Sequence, residues 1–319
     1  MDRPYILHMF TPGSQMSPFD INMAADAGYQ MVVPYAEVGL ASIAGLTQDT
    51  IFSRGPKGVT RTGIFIGGRD TLLAADMVQA ATGAMVKPFV VSVMADPSGA
   101  FTTAAAMVAC VEAALVRHHG AGLAGRRVVV LGGTGPVGRI AGVLAARAGA
   151  QVQLSSRNGI DVAEAAALET ARRFGVTLHG ISGGDTAAVR HSINEAEVVL
   201  ACAAAGKQVV SVDDLAHARA LCVVADVNAV PPAGIAGVGV MDDGVALQGL
   251  AASCAGAVGI GALAVGNVKY QTQHLLLLQM RLAEKAVVLG FDEAFAAARA
   301  YLAERAAERR AKRQAAPGA

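Results

Sequence analysis

The feature that most constrains this chain is a glycine-rich turn between an apolar run and an amphipathic stretch. Residues 127–131 read RVVVL, and Gly133, Gly135 and Gly138 follow in the spacing GxGxxG. Residues 137–148 then carry apolar side chains at helical spacing. A strand, a glycine turn and a helix in this order are typical of a dinucleotide-binding domain, where backbone N–H groups at the helix start meet a diphosphate.

We therefore predict a diphosphate on the turn made by Gly133, Thr134, Gly135, Pro136, Val137 and Gly138. In this interpretation Gly133 permits the tight turn, and Gly135 lets the backbone approach the phosphates. Gly138 lets the helix and the strand pack closely. An ordinary glycine-rich turn between a strand and a helix is the alternative.

The end of the second strand of this domain predicts which dinucleotide binds. An acidic residue about 20 positions after the glycine turn favours NAD, because it bonds the ribose hydroxyls. This chain has Ser155, Ser156 and Arg157 there, with no carboxylate before Asp161. Hydroxyls and a guanidinium suit a 2′-phosphate, so the sequence predicts NADP, with weaker use of NAD. A solvated loop arginine without a ligand is the alternative for Arg157.

Apolar runs alternate with helical patterns along the chain, which is typical of an α/β architecture. We predict a Rossmann-type doubly wound parallel sheet and an N-terminal α/β substrate domain that C-terminal helices complete. The predicted bounds are 1–120 for the N-terminal domain, 121–268 for the Rossmann domain and 269–319 for the helices packing back on the N-terminal domain. The expected strands are residues 5–10, 30–34, 63–67, 89–94, 127–131, 151–155, 176–180, 198–202 and 222–226.

Capping residues predict several helix starts. Ser17 is expected to cap a helix that has Pro18 at its first position and Asp20 at the capping-box site. Asp70 is expected to cap another. Two further helices are expected at residues 271–289 and 292–312.

Composition and charge exclude several classes of function. The net charge is +1 and 53% of the residues are hydrophobic, so the chain lacks the basic excess of a nucleic-acid-binding protein. Residues 244–268 carry no charge, but they are rich in glycine and alanine and are expected to form buried loop and strand. Four widely spaced cysteines indicate reduced thiols, and the histidines lack metal-ligand spacing. We expect a cytoplasmic protein with no membrane, nucleic-acid or metal partner.

Several long segments are more specific than the glycine turn. They are residues 16–20, 46–49, 51–54, 61–68, 95–103, 226–235 and 259–270. Through them nearly the whole chain resembles the bacterial NAD(P)-dependent methylenetetrahydromethanopterin dehydrogenases of one-carbon metabolism. The resemblance implies oxidation of methylene-tetrahydromethanopterin to the methenyl cation with reduction of NAD(P)+, an N-terminal pterin-binding domain, a cleft between domains and a homo-oligomer, expected to be a trimer or a hexamer. Ser155, Ser156 and Arg157 look like the NADP-using type, whereas the rest of the chain looks like the dual-cofactor type.

This chemistry needs no general base, because nitrogen lone pairs expel the hydride from the methylene bridge. The enzyme must position the donor carbon, exclude water and favour the developing positive charge. The predicted catalytic residues are Asp20, Asp96 and Lys269. A helix-capping role is the alternative for both carboxylates, and a surface position at a helix start is the alternative for Lys269.

The remaining predicted contacts lie near the same segments. Ser98, Thr102 and Thr103 are expected to bind the pterin together with Asp20, Asp96 and Lys269. Asn228 and Ala229 are expected beside the nicotinamide amide. For Thr102 and Thr103 the alternative is packing inside a helix.

Other functions remain open from the sequence. A methylenetetrahydrofolate dehydrogenase performs the same hydride chemistry on a related pterin. A shikimate-type dehydrogenase needs a proton acceptor that we do not find, and a short-chain dehydrogenase needs a Tyr-x-x-x-Lys motif that is missing at the required distance. A non-catalytic NADP(H) sensor would bind the cofactor tightly without turnover on any pterin.

Overall fold

The computed structural model describes residues 3–315, which form two compact units. The first unit contains the residues up to 102 together with 270–297, and the second contains 103–269 together with the residues from 298 onward. The strands, numbered along the chain, are β1 (Ile6–Phe10), β2 (Met31–Tyr35), β3 (Thr62–Ile66), β4 (Ser92–Ala95), β5 (Arg127–Leu131), β6 (Gln151–Ser156), β7 (His179–Ser182), β8 (Val198–Ala201), β9 (Val223–Asp226), β10 (Asp243–Ala246), β11 (Val258–Ile260) and β12 (Val288–Leu289).

The α-helices are numbered in the same way. They are α1 (Pro18–Asp26), α2 (Ile43–Phe52), α3 (Pro56–Val59), α4 (Thr71–Gly83), α5 (Ala100–His119), α6 (Pro136–Arg147), α7 (Ile160–Phe174), α8 (Thr186–Asn194), α9 (Val212–Leu215), α10 (Ala262–Leu282) and α11 (Phe291–Ala315). Three of them, α5, α10 and α11, begin in one unit and continue in the other.

The first unit is built on a five-stranded sheet in the order β12-β4-β3-β1-β2, and every neighbouring pair is parallel. The chain passes from β1 to β2 on one side of it, and from β2 back to β3 on the other side of β1. The topological switch point of this sheet therefore lies between β1 and β3. Ligands of open parallel sheets bind outside the carboxyl ends of the strands at such a point. Leu7, Met9, Ile64 and Phe65 from these two strands are fully buried and form the centre of the core.

The second unit is built on a seven-stranded sheet in the order β10-β11-β9-β8-β5-β6-β7. All neighbouring pairs are parallel except β10 with β11. This is the doubly wound order of dinucleotide-binding domains, with its switch point between β5 and β8. The predicted fold class is therefore confirmed.

Helix starts follow the sequence in one case and depart from it in another. The Asp70 carboxylate caps α4, accepting from the N–H groups of Leu72 and Leu73 at 2.9 and 3.0 Å. Pro18 occupies the first position of α1, but Ser17 makes no side-chain cap hydrogen bond. The capping-box prediction was wrong, because that motif requires the Ser17 side-chain bond that is missing here.

The predicted helix at 271–289 was also wrong in its bounds. Helix α10 starts at residue 262 and ends at 282, and the following residues form β12. The charge-free stretch 244–268 therefore contains β11 and the first turns of α10. Strand β7 begins three residues later than expected, at His179.

One helical segment among the described residues, 97–119, is long and apolar enough to cross a bilayer. Of the most apolar 18 residues of this segment, 78% are buried inside the protein. Such burial is typical of a core helix in a soluble protein, whose apolar side chains face other protein atoms.

Candidate functional site

The glycine turn of the second unit joins β5 to α6. Gly132 has a φ of +72°, in the left-handed region that favours glycine, and a Cβ there would lie 2.8 Å from the Ala203 backbone nitrogen. A Cβ on Gly133 would lie 2.8 Å from the Leu154 Cα of β6. Gly132 thus makes the tight turn that the sequence analysis assigned to Gly133, while Gly133 permits close packing against β6.

The other two glycines of the turn differ in what surrounds them. A Cβ on Gly138 would lie 2.5 Å from the Gly132 carbonyl oxygen and 2.7 Å from the Gly133 Cα, so the packing of the protein itself requires glycine there. A Cβ on Gly135 would meet only the Gly132 oxygen, at 3.4 Å. The packing of the protein would therefore allow a side chain at position 135. Glycine instead leaves open the space in front of the helix, where a diphosphate would lie.

Helix α6 provides the donors for such a ligand. Pro136 takes its first position, and the first intrahelical bond of the turn runs from the Arg139 N–H to the Gly135 carbonyl at 2.9 Å. The N–H groups of Val137 and Gly138 precede that bond and have no acceptor within the helix. They point out of the helix start together with its positive dipole end, so these residues fit a diphosphate.

Arg139 fastens the turn to the neighbouring helix. Its Nε donates to the Thr134 carbonyl at 3.1 Å, and its Nη1 donates to Glu169 of α7 at 2.6 Å and to the Thr170 hydroxyl at 3.1 Å. The guanidinium therefore holds the Thr134 peptide in one orientation. The sequence analysis did not identify this residue.

The residues predicted to select the dinucleotide lie at the end of β6 and at the start of the loop after it. Ser155 and Ser156 are buried, whereas Arg157 is exposed. The Ser156 hydroxyl accepts from the Asn158 N–H at 3.1 Å. Gly159 precedes α7 and supplies no side-chain cap, which leaves the first N–H groups of that helix open. An arginine, open N–H groups and no carboxylate before Asp161 make this loop suitable for a phosphate.

The loop after β9 is organised by Asn228. Its Oδ1 accepts from the N–H groups of Gly206 and Val230, each at 3.0 Å, and its Nδ2 donates to the Pro232 carbonyl at 2.8 Å. The side-chain amide thus shapes the loop that contains Ala229. A contact of either residue with a nicotinamide remains a prediction.

Asp226, which the sequence analysis passed over, anchors the same loop. It ends β9 and accepts from the N–H groups of Asn228, Gly234 and Ile235 at 2.8, 2.6 and 3.1 Å. Burial raises the pKa of its carboxyl, although the three backbone donors oppose that rise. An aspartate that ends an apolar strand was the available sequence signal.

In the first unit, Asp96 directly follows β4. Its Oδ1 accepts from the N–H groups of Phe101 and Thr102 at 2.9 and 3.1 Å, and its Oδ2 accepts from the Thr102 hydroxyl at 2.5 Å. The residue is fully buried, and Ser98 between these groups has a φ of 53°. Asp96 and Thr102 therefore hold the start of α5 at the carboxyl edge of the first sheet, where its parallel strands end.

Asp20 lies in the first turn of α1, which begins at the same carboxyl edge. Its Oδ1 accepts from the Gln273 Nε2 of α10 at 2.7 Å, and both side chains are almost completely buried. Lys269, which is half-buried, precedes Gln273 by four residues on α10, so the two side chains leave the same face of the helix. Gln273 was not predicted from the sequence, where it is one of several polar residues at the start of a helical pattern.

The predicted site residues thus divide between the units. The first unit contains Asp20, Asp96, Ser98 and Thr102. The second contains Thr103 and Lys269 together with all of the predicted dinucleotide contacts, from Gly133 to Ala229.

The cysteines do not add a nucleophile to this site. All four are free thiols in the described structure. Burial, with a smaller effect from the Asp226 charge, raises the pKa of Cys202 to about 12, and its Sγ lies 3.6 Å from the Met107 sulfur. A thiol with such a pKa stays protonated near neutral pH and is a weak nucleophile.

The chain is similar in sequence to known proteins, and its fold is similar to that of a solved structure. A family model described as methylene-tetrahydromethanopterin dehydrogenase, N-terminal, matches residues 18–98. An NAD(P)-dependent methylenetetrahydromethanopterin dehydrogenase from Methylorubrum extorquens is 47% identical over 290 residues, covering 91% of this chain and 96% of that protein. The bifunctional protein MdtA of the same organism is 34% identical over 258 residues, covering 81% of this chain and 87% of the relative.

Among solved structures, ornithine carbamoyltransferase from Pyrococcus furiosus superposes with a TM-score of 0.50 at 14% identity. The match covers 89% of this chain and 87% of that one. At this identity the likeness concerns the fold alone.

Proposed function

The chain belongs to the NAD(P)-dependent methylenetetrahydromethanopterin dehydrogenase family, and on that premise we propose that it transfers a hydride from methylene-tetrahydromethanopterin to NADP+. The product is methenyl-tetrahydromethanopterin, an intermediate of one-carbon (formaldehyde oxidation) metabolism. NAD+ is the weaker hydride acceptor. The supporting observation is the space in front of α6, which Gly135 keeps open in a sheet of dinucleotide-binding strand order.

NADP+, when bound, supplies the ring carbon that accepts the hydride. The N–H groups of Val137 and Gly138 bind its diphosphate, and Arg139 keeps the turn rigid through the Thr134 carbonyl. Arg157 and the open start of α7 bind the 2′-phosphate, with Ser155 and Ser156 shaping that loop. Asn228 and Ala229 border the nicotinamide amide.

The pterin contacts follow from the charge that the reaction creates. Hydride loss leaves a cation on the pterin, and the Asp20 carboxylate, which Gln273 holds in one orientation, stabilises that cation. Lys269, on the same helix face as Gln273, orients the polar groups of the pterin. Asp96 acts chiefly by fixing the start of α5, from which Ser98, Thr102 and Thr103 contact the substrate.

The same resemblance supports the proposal that the protein is a homo-oligomer, a trimer or a hexamer, and its widely spaced cysteines support the proposal that it is cytoplasmic. Light scattering during size-exclusion chromatography measures the mass of the assembly directly. A mass equal to that of one chain would remove this part of the proposal.

Mixing the purified protein with NADP+ and methylene-tetrahydromethanopterin tests the central claim. We expect NADPH absorbance to appear, with slower reduction of NAD+ and slower reaction of methylene-tetrahydrofolate. Faster turnover of the folate would make the protein a methylenetetrahydrofolate dehydrogenase instead. Tight binding of NADP+ without turnover of either pterin would indicate a non-catalytic sensor.

A further inference from the structure

A second polar cluster lies at the opposite, amino-terminal edge of the first sheet. Arg54 Nη2 donates to the Pro4 carbonyl at 3.0 Å, and Arg61 Nη1 donates to the Arg3 carbonyl at 2.8 Å. Residues 3–5 precede β1, and Arg61 precedes the parallel strand β3. These arginines therefore gather at the strand starts, away from the carboxyl edge that contains Asp96.

Tyr5 brings a fourth arginine to the cluster. The Cζ atoms of Arg61 and Arg281 each lie 5.0 Å from the centre of the Tyr5 ring. These cation–π contacts hold both guanidinium groups close to the ring. The Nε of Arg281 is buried and has no hydrogen-bond partner.

Arg3 and Arg54 share one small space. A Cβ on Gly58 would lie 2.7 Å from Arg3 Nη1 and 2.8 Å from Arg54 Nε. Arg54 Nη1 is buried without a hydrogen-bond partner. Burial chiefly lowers the pKa of Arg54, and the nearby positive charges of Arg3 and Arg61 lower it further.

In the part of the chain that the structure describes, no carboxylate forms an ion pair with Arg3, Arg54 or Arg281. A guanidinium has five N–H donors, and buried donors without an acceptor are costly. The positive charges of neighbouring guanidinium groups, such as those of Arg3 and Arg54, also repel each other. Both costs fall if an anion with several acceptor oxygens lies among the arginines.

We propose that this arginine cluster, formed by Arg3, Arg54, Arg61 and Arg281, binds a phosphate-type dianion, either free phosphate or the phosphate group of a small ester. A dianion offsets more than one guanidinium, and its several oxygens can accept from more than one donor. A carboxylate has one charge and two oxygens, so it matches the cluster less well. The proposal does not depend on the dehydrogenase activity.

Phosphate titration of the full chain tests this site. The protein is first saturated with NADP+, so that phosphate cannot occupy the glycine turn, and chloride keeps the ionic strength constant. We expect a saturable rise in melting temperature with phosphate and a matching broadening of the phosphate 31P resonance. Arg54→Gln should raise the apparent Kd for phosphate about tenfold, the loss of one charge-assisted hydrogen bond. Arg310→Gln, at an exposed position of α11, should leave it unchanged.

Two further arms identify the ligand and guard against a folding defect. Glycerol 3-phosphate binding more tightly than inorganic phosphate assigns the site to an ester, and the reverse order assigns it to free phosphate. If the Arg54→Gln variant does not fold, phosphate is titrated into the Arg281→Gln variant instead, and the 31P measurement is made on the unaltered protein. Equal stabilisation by chloride, acetate binding as tight as phosphate, or unchanged binding in both arginine variants would overturn the proposal.

Discussion

The glycine turn of the second unit and the carboxyl edge of the first unit offer different atoms for the proposed binding. The turn offers backbone N–H groups and the space left by missing side chains, and at Gly135 the protein itself has room for a Cβ. At the carboxyl edge, Asp20 and Asp96 are buried and already bonded to other parts of the protein. In the proposed site, binding and folding are therefore separable at Gly135, whereas at the carboxyl edge one side chain is proposed to contribute to both.

Gly138→Ala should have the largest effect, because it damages both properties of the turn. The added Cβ would lie 2.5 Å from the Gly132 carbonyl oxygen, and backbone cannot move aside as a flexible side chain can. We expect a loss of about 3 kcal/mol in the free energy of unfolding, typical of overpacking, and about a hundredfold weaker NADP+ binding. Urea unfolding and a fluorescence titration measure the two, and wild-type values in both would show that the turn can rearrange.

Gly135→Ala sharpens the contrast, because its Cβ meets the protein only at 3.4 Å. The free energy of unfolding should change by about 1 kcal/mol or less, the cost of alanine at a helix N-cap. NADP+ should bind about thirtyfold more weakly, a loss of about 2 kcal/mol, because the methyl group occupies the diphosphate space. Unchanged NADP+ affinity in the same titration would place the diphosphate elsewhere.

Asp20→Asn separates charge from structure at the carboxyl edge. Asparagine keeps an oxygen that accepts from Gln273, so the fold should persist while the negative charge disappears. We expect kcat to fall about twentyfold, since cation stabilisation is lost in the transition state, with KM for NADP+ unchanged. Steady-state kinetics measures both quantities, and an unchanged kcat would leave Asp20 with a structural role only.

Asp96→Asn is the matched control for that variant. Three donors converge on the Asp96 carboxylate, and an amide can accept from fewer of them. Its main effect should be on stability, at about 2 kcal/mol, rather than on kcat of the folded protein.

Lys269→Ala should lower kcat/KM for the pterin about tenfold, which corresponds to about 1.4 kcal/mol. The melting temperature should stay near that of the unaltered protein. Lys285→Ala, at an exposed position, is the control and should behave like wild type. If the two variants have equal kinetics, Lys269 does not contact the substrate.

Arg157→Gln should have the smallest effect, because this side chain is exposed and its phosphate contact is partly screened by water. The ratio of kcat/KM with NADP+ to that with NAD+ should fall about fivefold. Arg172→Gln, an exposed substitution in the last turn of α7, should leave the ratio unchanged. A ratio unaffected by Arg157→Gln would shift cofactor selection to the backbone of the loop.

Local signals explain which parts of the fold the sequence predicts. The bounds of β5 agree with the prediction, because a β-branched run of strand length stands between breaking residues. Strand β12 has only two residues and exists because it pairs with Val93 and Met94 of β4. Nothing in its own composition distinguishes it from the end of a helix, so the helix expected at 271–289 extended through it.

In the candidate site, too, contacts that are local in the sequence are predictable and long-range contacts are not. The requirement for glycine in the turn comes from atoms a few residues away or from the next strand, so a short motif reveals it. The partner of Asp20 lies 253 residues away in the sequence, and only the folded chain brings Gln273 to it. A capping box was the nearest local explanation for Asp20, which is why the sequence analysis weighed that role.

The position of β12 also has a consequence for the order of folding during synthesis. The ribosome synthesises every strand of the second sheet, from β5 to β11, before it reaches residues 288–289. The first four strands of the first sheet emerge earliest but lack their edge strand until nearly the whole chain has been made. The sheet that is begun first is therefore the one completed last, and a nascent chain halted after residue 261 would display an open edge beside β4.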